Sequence, residues 1–215
     1  MFVKDKMSVD LVTVSPETNV LEALELMREN KIRRLPVVEN GKLKGMVTQL
    51  DLLRISPSPA TSLSVFELNY LLSKMMVKEA MTSDPIVVAA DATVEEAALI
   101  MRDHQVGGLP VVQDDKLVGI ITETNIFDAF IESMGLRRAG IRLSIEVPDH
   151  PGVLAKITQI IYQFKANIIS LATFAGVREG EAQIIVRIAE LDSVEELISE
   201  LEKQGYQVFH VAKLA

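Results

Sequence analysis

The 215-residue sequence contains no cysteine, which removes disulfides, thiolate nucleophiles and thiolate metal sites at once and suits a cytoplasmic protein. Its three histidines, His104, His150 and His210, lie in separate segments without local partners, so no metal-ligand spacing is present. Serine nucleophile elbows and Walker-type glycine-rich loops are also missing. The acidic runs Glu22/Glu25/Glu29 and Glu195/Glu196/Glu200/Glu202 read as solvated helix faces, not as acid/base pairs, and the expectation is a protein without catalysis. No apolar run approaches the ~18 residues of a membrane span. Phe2-Val3-Lys4-Asp5-Lys6 has neither the apolar core nor the small-residue cleavage site of a secretory signal. Positive charge is scarce: a net charge of −8 argues against wholesale binding of nucleic acid or anionic membrane, both of which need clustered cations. The notable basic clusters are Lys31 with Arg33-Arg34, and Arg137-Arg138.

What is present is a repeat. The stretch Met7 to Asp51 returns without a gap as Met81 to Asn125. Leu35-Pro36-Val37-Val38 becomes Leu109-Pro110-Val111-Val112, Gly45 becomes Gly119, and Thr48 becomes Thr122. Such a unit cannot bury its apolar face alone and needs its twin, so two halves facing each other, with a cleft, are expected.

Within each copy, a short extended segment (Val12-Thr13-Val14, Ile86-Val87-Val88) precedes a helix start. Asn19-x-x-Glu22 and Thr93-x-x-Glu96 have capping-box spacing. Val20, Leu24 and Met27, and Val94, Ala97 or Ala98 and Met101, recur at three- and four-residue spacing as a buried stripe, in helices reaching about Asn30 and His104. Leu-Pro-Val-Val reads as a buried strand with its proline at the start, where no ladder donor is needed. A polar turn (Glu39-Asn40-Gly41-Lys42, Gln113-Asp114-Asp115-Lys116) then returns the chain along Leu43–Val47 or Leu117–Ile121 as a hairpin. Ser56-Pro57-Ser58-Pro59 reads as a linker, and Ser64-x-x-Glu67 caps an amphipathic helix running to about Met76.

Strand, helix, hairpin and helix, with Gly45-x-x-Thr48-x-x-Asp51 and Gly119-x-x-Thr122-x-x-Asn125 at the second hairpin strand, resemble the CBS domain, and the tandem resembles a CBS pair, or Bateman module. A threonine where strand gives way to helix places a hydroxyl beside free backbone N–H groups, an arrangement that favours a phosphate oxygen. One helical turn on, a carboxylate such as Asp51 can accept from both hydroxyls of a ribose. The resemblance implies adenine-nucleotide binding, with Thr48, Asp51, Thr122 and Asn125 as phosphate and ribose contacts. Ile32, Val37, Val106 and Val111 would line the base, and Thr13, Pro36 and Pro110 complete the implied set. The structural alternative is that both threonines are helix N-caps and the apolar residues plain core.

The copies differ where it matters. Asp51 is matched by Asn125, which trades an acceptor for a donor, and Arg33-Arg34 by Gly107-Gly108. The expectation is a tighter copy-one site, with Arg33 and Arg34 available to a phosphate tail. The copy-two site is expected to be weaker or to select a ligand with less phosphate.

After Arg137-Arg138 the pattern changes. Ile141, Leu143, Ile145 and Val147 alternate with Arg142, Ser144 and Glu146, the period of a half-buried strand. Val153, Leu154, Ile157, Ile160, Ile161 and Phe164 mark a helix face; strands follow near 168–175 and 182–188. A second helix has Ser193-x-x-Glu196 as its box and Gly205 as its stop, and a last strand covers 207–212. The order βαββαβ is a ferredoxin-like plan. Asp149-His150-Pro151-Gly152-Val153-Leu154 makes this segment resemble an ACT domain. That resemblance implies an amino acid held by Asp149, His150, Gly152, Val153 and Leu154 with Asn167 and Ile168. The alternatives are an ACT domain that only dimerises, with Asp149 capping the helix.

The expected fold is therefore α/β (α+β): CBS domain 1 over residues 1–60, a linker helix at 61–76, CBS domain 2 at 77–134 and an ACT domain at 139–215. The combination resembles the acetoin-utilisation proteins of the AcuB type. The expected function is ligand sensing: adenine nucleotide on the CBS pair, dimerisation and amino-acid binding on the ACT domain, and a signal passed to another protein chain. A purely structural adaptor and an enzyme with an interfacial active site are the competing readings.

Overall fold

Asn40 and Gly41 hold φ of 52° and 74°, and Asp114 and Asp115 hold 50° and 58°, the double positive φ of the type I′ turn that closes a two-residue hairpin. These turns join β1 (Arg34–Glu39) to β2 (Lys42–Thr48) and β5 (Gly108–Gln113) to β6 (Lys116–Thr122). The two hairpins share one register: Arg34 pairs with Thr48 as Gly108 pairs with Thr122. Each has an irregularity at the same place, between Val37 and Val38 and between Val111 and Val112. The computed structural model describes residues 1–56, 64–176 and 178–214. Of the expected linker, Pro57 to Pro59 lie outside the described residues.

The helices are α1 (Val20–Glu29), α2 (Gln49–Ile55), α3 (Val65–Leu72), α4 (Val94–His104) and α5 (Glu123–Ser133); β3 (Thr82–Ser83) and β4 (Val88–Ala89) are short strands. Thr93 and Glu96 form the full capping box, with Glu96 Oε2 accepting from the Thr93 amide at 2.7 Å and Thr93 Oγ1 accepting from the Glu96 amide at 3.1 Å. Ser64 and Glu67 do the same before α3. The Asn19 box is half formed: its Oδ1 caps Leu21, while its side-chain NH2 donates to the carbonyls of Leu72 and Met75, at and just after the end of α3. That helix stops at Leu72, short of the expected Met76. In α1 the buried stripe is Val20, Ala23 and Met27, with Leu24 at its margin.

Pro36 occupies the third place of β1, opposite Met46, not the first. Its carbonyl accepts from Val14, so the edge that lacks its N–H faces a single bridging residue instead of the β2 ladder.

The leading segments of the copies are exchanged. Val3, in a 3-10 turn, is buried in the core of the second copy with Val111, Leu109 and Ile121. Ser8 exchanges backbone hydrogen bonds with Ile120 at 2.9 and 3.0 Å. Reciprocally, Val77 completes the first core with Val20, Leu35 and Val47, and β3 pairs with β2 at Gly45 and Met46. Gly45 and Gly119 make the crossings possible. A Cβ at Gly45 would lie 2.8 Å from the Thr82 carbonyl oxygen, and one at Gly119 would meet Met7 Sδ and, at 3.2 Å, the Ser8 carbonyl.

Residues 1–127 and 128–215 are two compact units. The second contains β7 (Gly140–Pro148), α6 (Val153–Gln163), β8 (Ile168–Ala175), β9 (Glu181–Ile188), α7 (Val194–Lys203) and β10 (Gln207–Leu214). The antiparallel sheet has the order β10-β7-β9-β8, the ferredoxin-like topology. Ile141, Leu143, Ile145, Ile184 and Val186 pack under Ile157, Ile161, Leu197 and Leu201. Leu154, expected on the buried face of α6, points outward. Gly205, at φ 85°, ends α7 in a Schellman arrangement: its amide bonds Glu202 and that of Tyr206 bonds Leu201. Ser193 makes no cap, because its φ and ψ of −123° and 66° turn the hydroxyl from the helix amides. Residues 134–138 belong with this sheet: Ser170 Oγ donates to the Met134 carbonyl, and Arg187 Nη2 to that of Arg138.

Candidate functional site

Both repeat threonines stand where a hairpin strand passes into a helix. Thr48 Oγ1 accepts from the Asp51 amide at 3.2 Å, and Asp51 Oδ2 accepts from the Thr48 amide at 2.9 Å and its hydroxyl at 2.5 Å. In the second copy Thr122 Oγ1 accepts from the Asn125 amide at 3.4 Å. Asn125 Oδ1 accepts from the Thr122 amide at 2.8 Å and its hydroxyl at 2.7 Å. These are capping boxes, the structural alternative raised for both threonines. Aspartate and asparagine spend one oxygen alike and differ in what remains: an acceptor oxygen on Asp51, an NH2 donor on Asn125.

A cavity of about 660 Å³ lies in the first unit, and its walls come from both copies. The first copy supplies residues 30–34 and Pro36; the second supplies Gly107, Ile120 and residues 122–125; the leading residues 7–12 close it. It therefore gathers Ile32, Arg33, Arg34, Pro36, Thr122 and Asn125. Thr13, Val37, Thr48, Asp51, Val106, Pro110 and Val111 do not line it. Val37 and Val111 are fully buried core residues. The sequence groups Arg33-Arg34 with Asp51 of their own copy; in this cavity they stand with the threonine turn of the other copy.

The reason is a packing contact. Arg34 starts β1 beside Thr48, but its guanidinium lies against Gly107 and Gly108 of the second copy. A Cβ at Gly107 would sit 2.8 Å from Arg34 Nη2. Side chains at 107 and 108 would collide with Arg34, so the arginine in one copy and the glycines in the other are two aspects of one contact. Burial is the main influence pushing the Arg34 guanidinium below the ordinary arginine value. Repulsion from Arg33 adds to it, and Glu123 opposes both.

Sequence reasoning missed Ile120, Glu123 and residues 8–11 as lining. The available signal was position: residues 8–11 open the repeat, and Glu123 directly follows Thr122. Among the described residues no group of three or more His, Asp or Glu side chains is placed to hold a metal ion, and no helix is long and apolar enough to cross a membrane.

In the second unit the 149–154 turn is open. Asp149, His150 and Gly152 are exposed, while Val153 is buried in the core and Ile168 half-buried. The residue before α6 is Gly152, at φ 93°, and Asp149 does not cap the helix; its amide bonds the Gly180 carbonyl at 2.9 Å. An added Cβ at Gly152 would meet open space, so backbone conformation, not close contact, calls for the glycine. Asn167 is exposed, and its carbonyl accepts from Ala189.

The CBS domain model matches residues 3–58 and 77–132, and a TTHA0829-like ACT domain model matches residues 139–212. Among curated relatives, an inosine-5'-monophosphate dehydrogenase of Korarchaeum cryptofilum is 32% identical over 211 residues, 93% of this chain. The chloroplastic CBS domain-containing protein CBSX1 of Arabidopsis thaliana is 40% identical over 152 residues, 62% of this chain. The chain spans 41% and 63% of the lengths of these two relatives. Among solved structures, CBSX2 in complex with AMP is 35% identical at a TM-score of 0.51, over 64% of this chain and 98% of that one. The CBS pair of protein MJ0100 with 5'-methylthioadenosine and S-adenosyl-L-methionine is 29% identical at 0.50, over 60% and 95%. A Vibrio cholerae protein named for acetoin utilization is 33% identical at 0.52, over 64% and 95%.

Proposed function

From the premise that the chain belongs to the CBS-domain family, as a CBS pair followed by an ACT domain, we propose that it is a non-catalytic sensor of adenine nucleotide. The observation that carries this reading is the cavity itself: about 660 Å³, within the range of small-ligand sites, walled by Ile32, Pro36 and Ile120 and edged by Arg33, Arg34, Thr122 and Asn125. The apolar residues suit a base. The arginines suit a phosphate. The AMP complex of CBSX2 supports the same ligand class.

Thr48 and Asp51, with Val106 and Pro110, form in this reading the second, repeat-related half-site. The ACT unit pairs two chains and holds an amino acid at Asp149–Leu154 and Asn167-Ile168. A nucleotide regulates by preferring one arrangement of the two CBS halves, which a partner protein in the cytoplasm then reads. The likeness to the Vibrio cholerae protein supports a link to acetoin or acetate metabolism. One observation favours the adaptor reading instead: both threonine turns are already internally hydrogen-bonded.

Titration calorimetry with AMP, ADP, ATP and S-adenosylmethionine decides between them. The sensor binds at least one adenine ligand, and Arg34→Gln weakens it by about fivefold to a hundredfold, the range for one charge-assisted hydrogen bond. An absence of heat and of any thermal shift with all four ligands refutes it.

A further inference from the structure

We propose that Glu123 limits how many phosphates the cavity accepts, through a carboxylate charge placed beside the Arg34 guanidinium. This rests on the nucleotide reading and adds the specificity of that site. Glu123 is the first residue of α5, directly after the Thr122 cap, where a helix N-terminus favours an anion; its own carboxylate therefore sits where a phosphate would be drawn. The Arg34 guanidinium comes to the same place. A Cβ on Gly107 would be 2.8 Å from Arg34 Nη2 and 3.0 Å from Glu123 Oε2, so the two charges converge over that glycine. Glu123 also opposes the burial and repulsion acting on Arg34.

The lining charges follow from this placement. Lys31, Arg33 and Arg34 are positive, Asp10 and Glu123 negative, which leaves the cavity only weakly cationic. A monophosphate is matched by such a site. A triphosphate brings more negative charge than the lining can balance, and brings it within a Debye length of Glu123. The chain contains its own comparison: the repeat position of Glu123 in the first copy is Gln49, the uncharged isostere.

The experiment measures the affinities of AMP, ADP and ATP by titration calorimetry for wild type, Glu123→Gln and Glu123→Ala. Far-UV circular dichroism and thermal melting confirm folding, and the alanine variant serves should the glutamine variant be insoluble. Wild type is expected to favour AMP over ATP. Either substitution is expected to raise the ATP-to-AMP affinity ratio about tenfold, the scale of removing one charge near two added phosphate charges in a partly solvated site. In an Arg34→Gln background, Glu123→Gln is expected to raise that ratio still further than it does alone, because the carboxylate is then unbalanced. A ratio that stays within twofold of wild type in both variants overturns the proposal while leaving nucleotide binding standing. A wild type that binds none of the three refutes the nucleotide reading, and this proposal with it.

Discussion

Gly45→Ala tests whether the leading segment of the second copy truly completes the first. Only because residues 77–83 cross over does Gly45 lie beneath Met81 and Thr82. A Cβ there would approach the Thr82 carbonyl oxygen and Met81 Sδ at 2.8 Å each. The methionine can swing away, but the carbonyl belongs to a strand paired with Gly45 itself, so backbone must move. Overpacking of this kind costs about 1–3 kcal/mol. Alanine also restricts the unfolded chain, which returns roughly 0.4–1 kcal/mol, since Gly45 lacks the positive φ that would forbid a side chain. The net expectation is a loss of about 1–2 kcal/mol, or roughly 4–8 °C in the melting temperature of a unit this size. Calorimetry and urea unfolding followed by far-UV circular dichroism measure it, with the transition of residues 1–127 resolved from that of 128–215. Gly41→Ala separates packing from conformation: its φ is 74°, and an added Cβ there meets nothing within 4 Å. If Gly45→Ala melts at or above wild type while Gly41→Ala is destabilised, the 77–83 segment does not lie across β2 and the exchange is refuted.

Two further predictions concern single groups. Hydrogen bonds from the Thr93 amide, and then the Thr93 hydroxyl, hold the Glu96 carboxyl below its ordinary value of 4.5. A depressed carboxyl stabilises above its unfolded pKa and loses that contribution as pH falls through its folded value. Acid titration of helix content in the first unit should therefore lose a component as pH falls through the lowered Glu96 value, and Thr93→Ala, which keeps the amide and removes the hydroxyl, should shrink that component; an unchanged acid limb disproves the assignment. Arg187 is 2% exposed; among the described residues its Nε has no partner, and its side chain donates from Nη2 to the Arg138 carbonyl. Arg187→Met, which keeps the volume without the buried charge, is expected to be at least as stable as wild type and up to about 2 kcal/mol more so, whereas Arg187→Ala loses packing and melts lower. Denaturant unfolding of the second unit decides it, and a methionine variant less stable than the alanine one sinks the argument.

How much was legible depends on how local each signal is. Asn40-Gly41, the Thr93–Glu96 box, Gly205 and the alternation through Ile141–Val147 act within a few residues, and each forms where the pattern places it. Boxes at Asn19 and Ser193 have the same spacing but are not completed: Asn19 caps Leu21 and turns its side-chain NH2 to distant carbonyls, and the backbone angles of Ser193 leave it without a cap. The repeat disclosed that there are two equivalent halves. It could not disclose which side chains of one half meet which of the other, because any contact and its repeat-related alternative look alike along the chain. That ambiguity lies behind the grouping of Arg33-Arg34 with Asp51 of their own copy. Arg34 resolves it: on a two-fold arrangement two facing arginines would compete for one space, and Gly107-Gly108 is the sequence trace of that conflict. This mismatch between copies thus marks a contact between the halves, in which the glycines leave room for the Arg34 guanidinium. The asymmetry at 33–34 against 107–108 is accordingly a contact between the halves before it is a difference between two ligands. Asp51 against Asn125 carries no such constraint, since each is held by its own threonine, and a preference written there is free to concern the ligand alone.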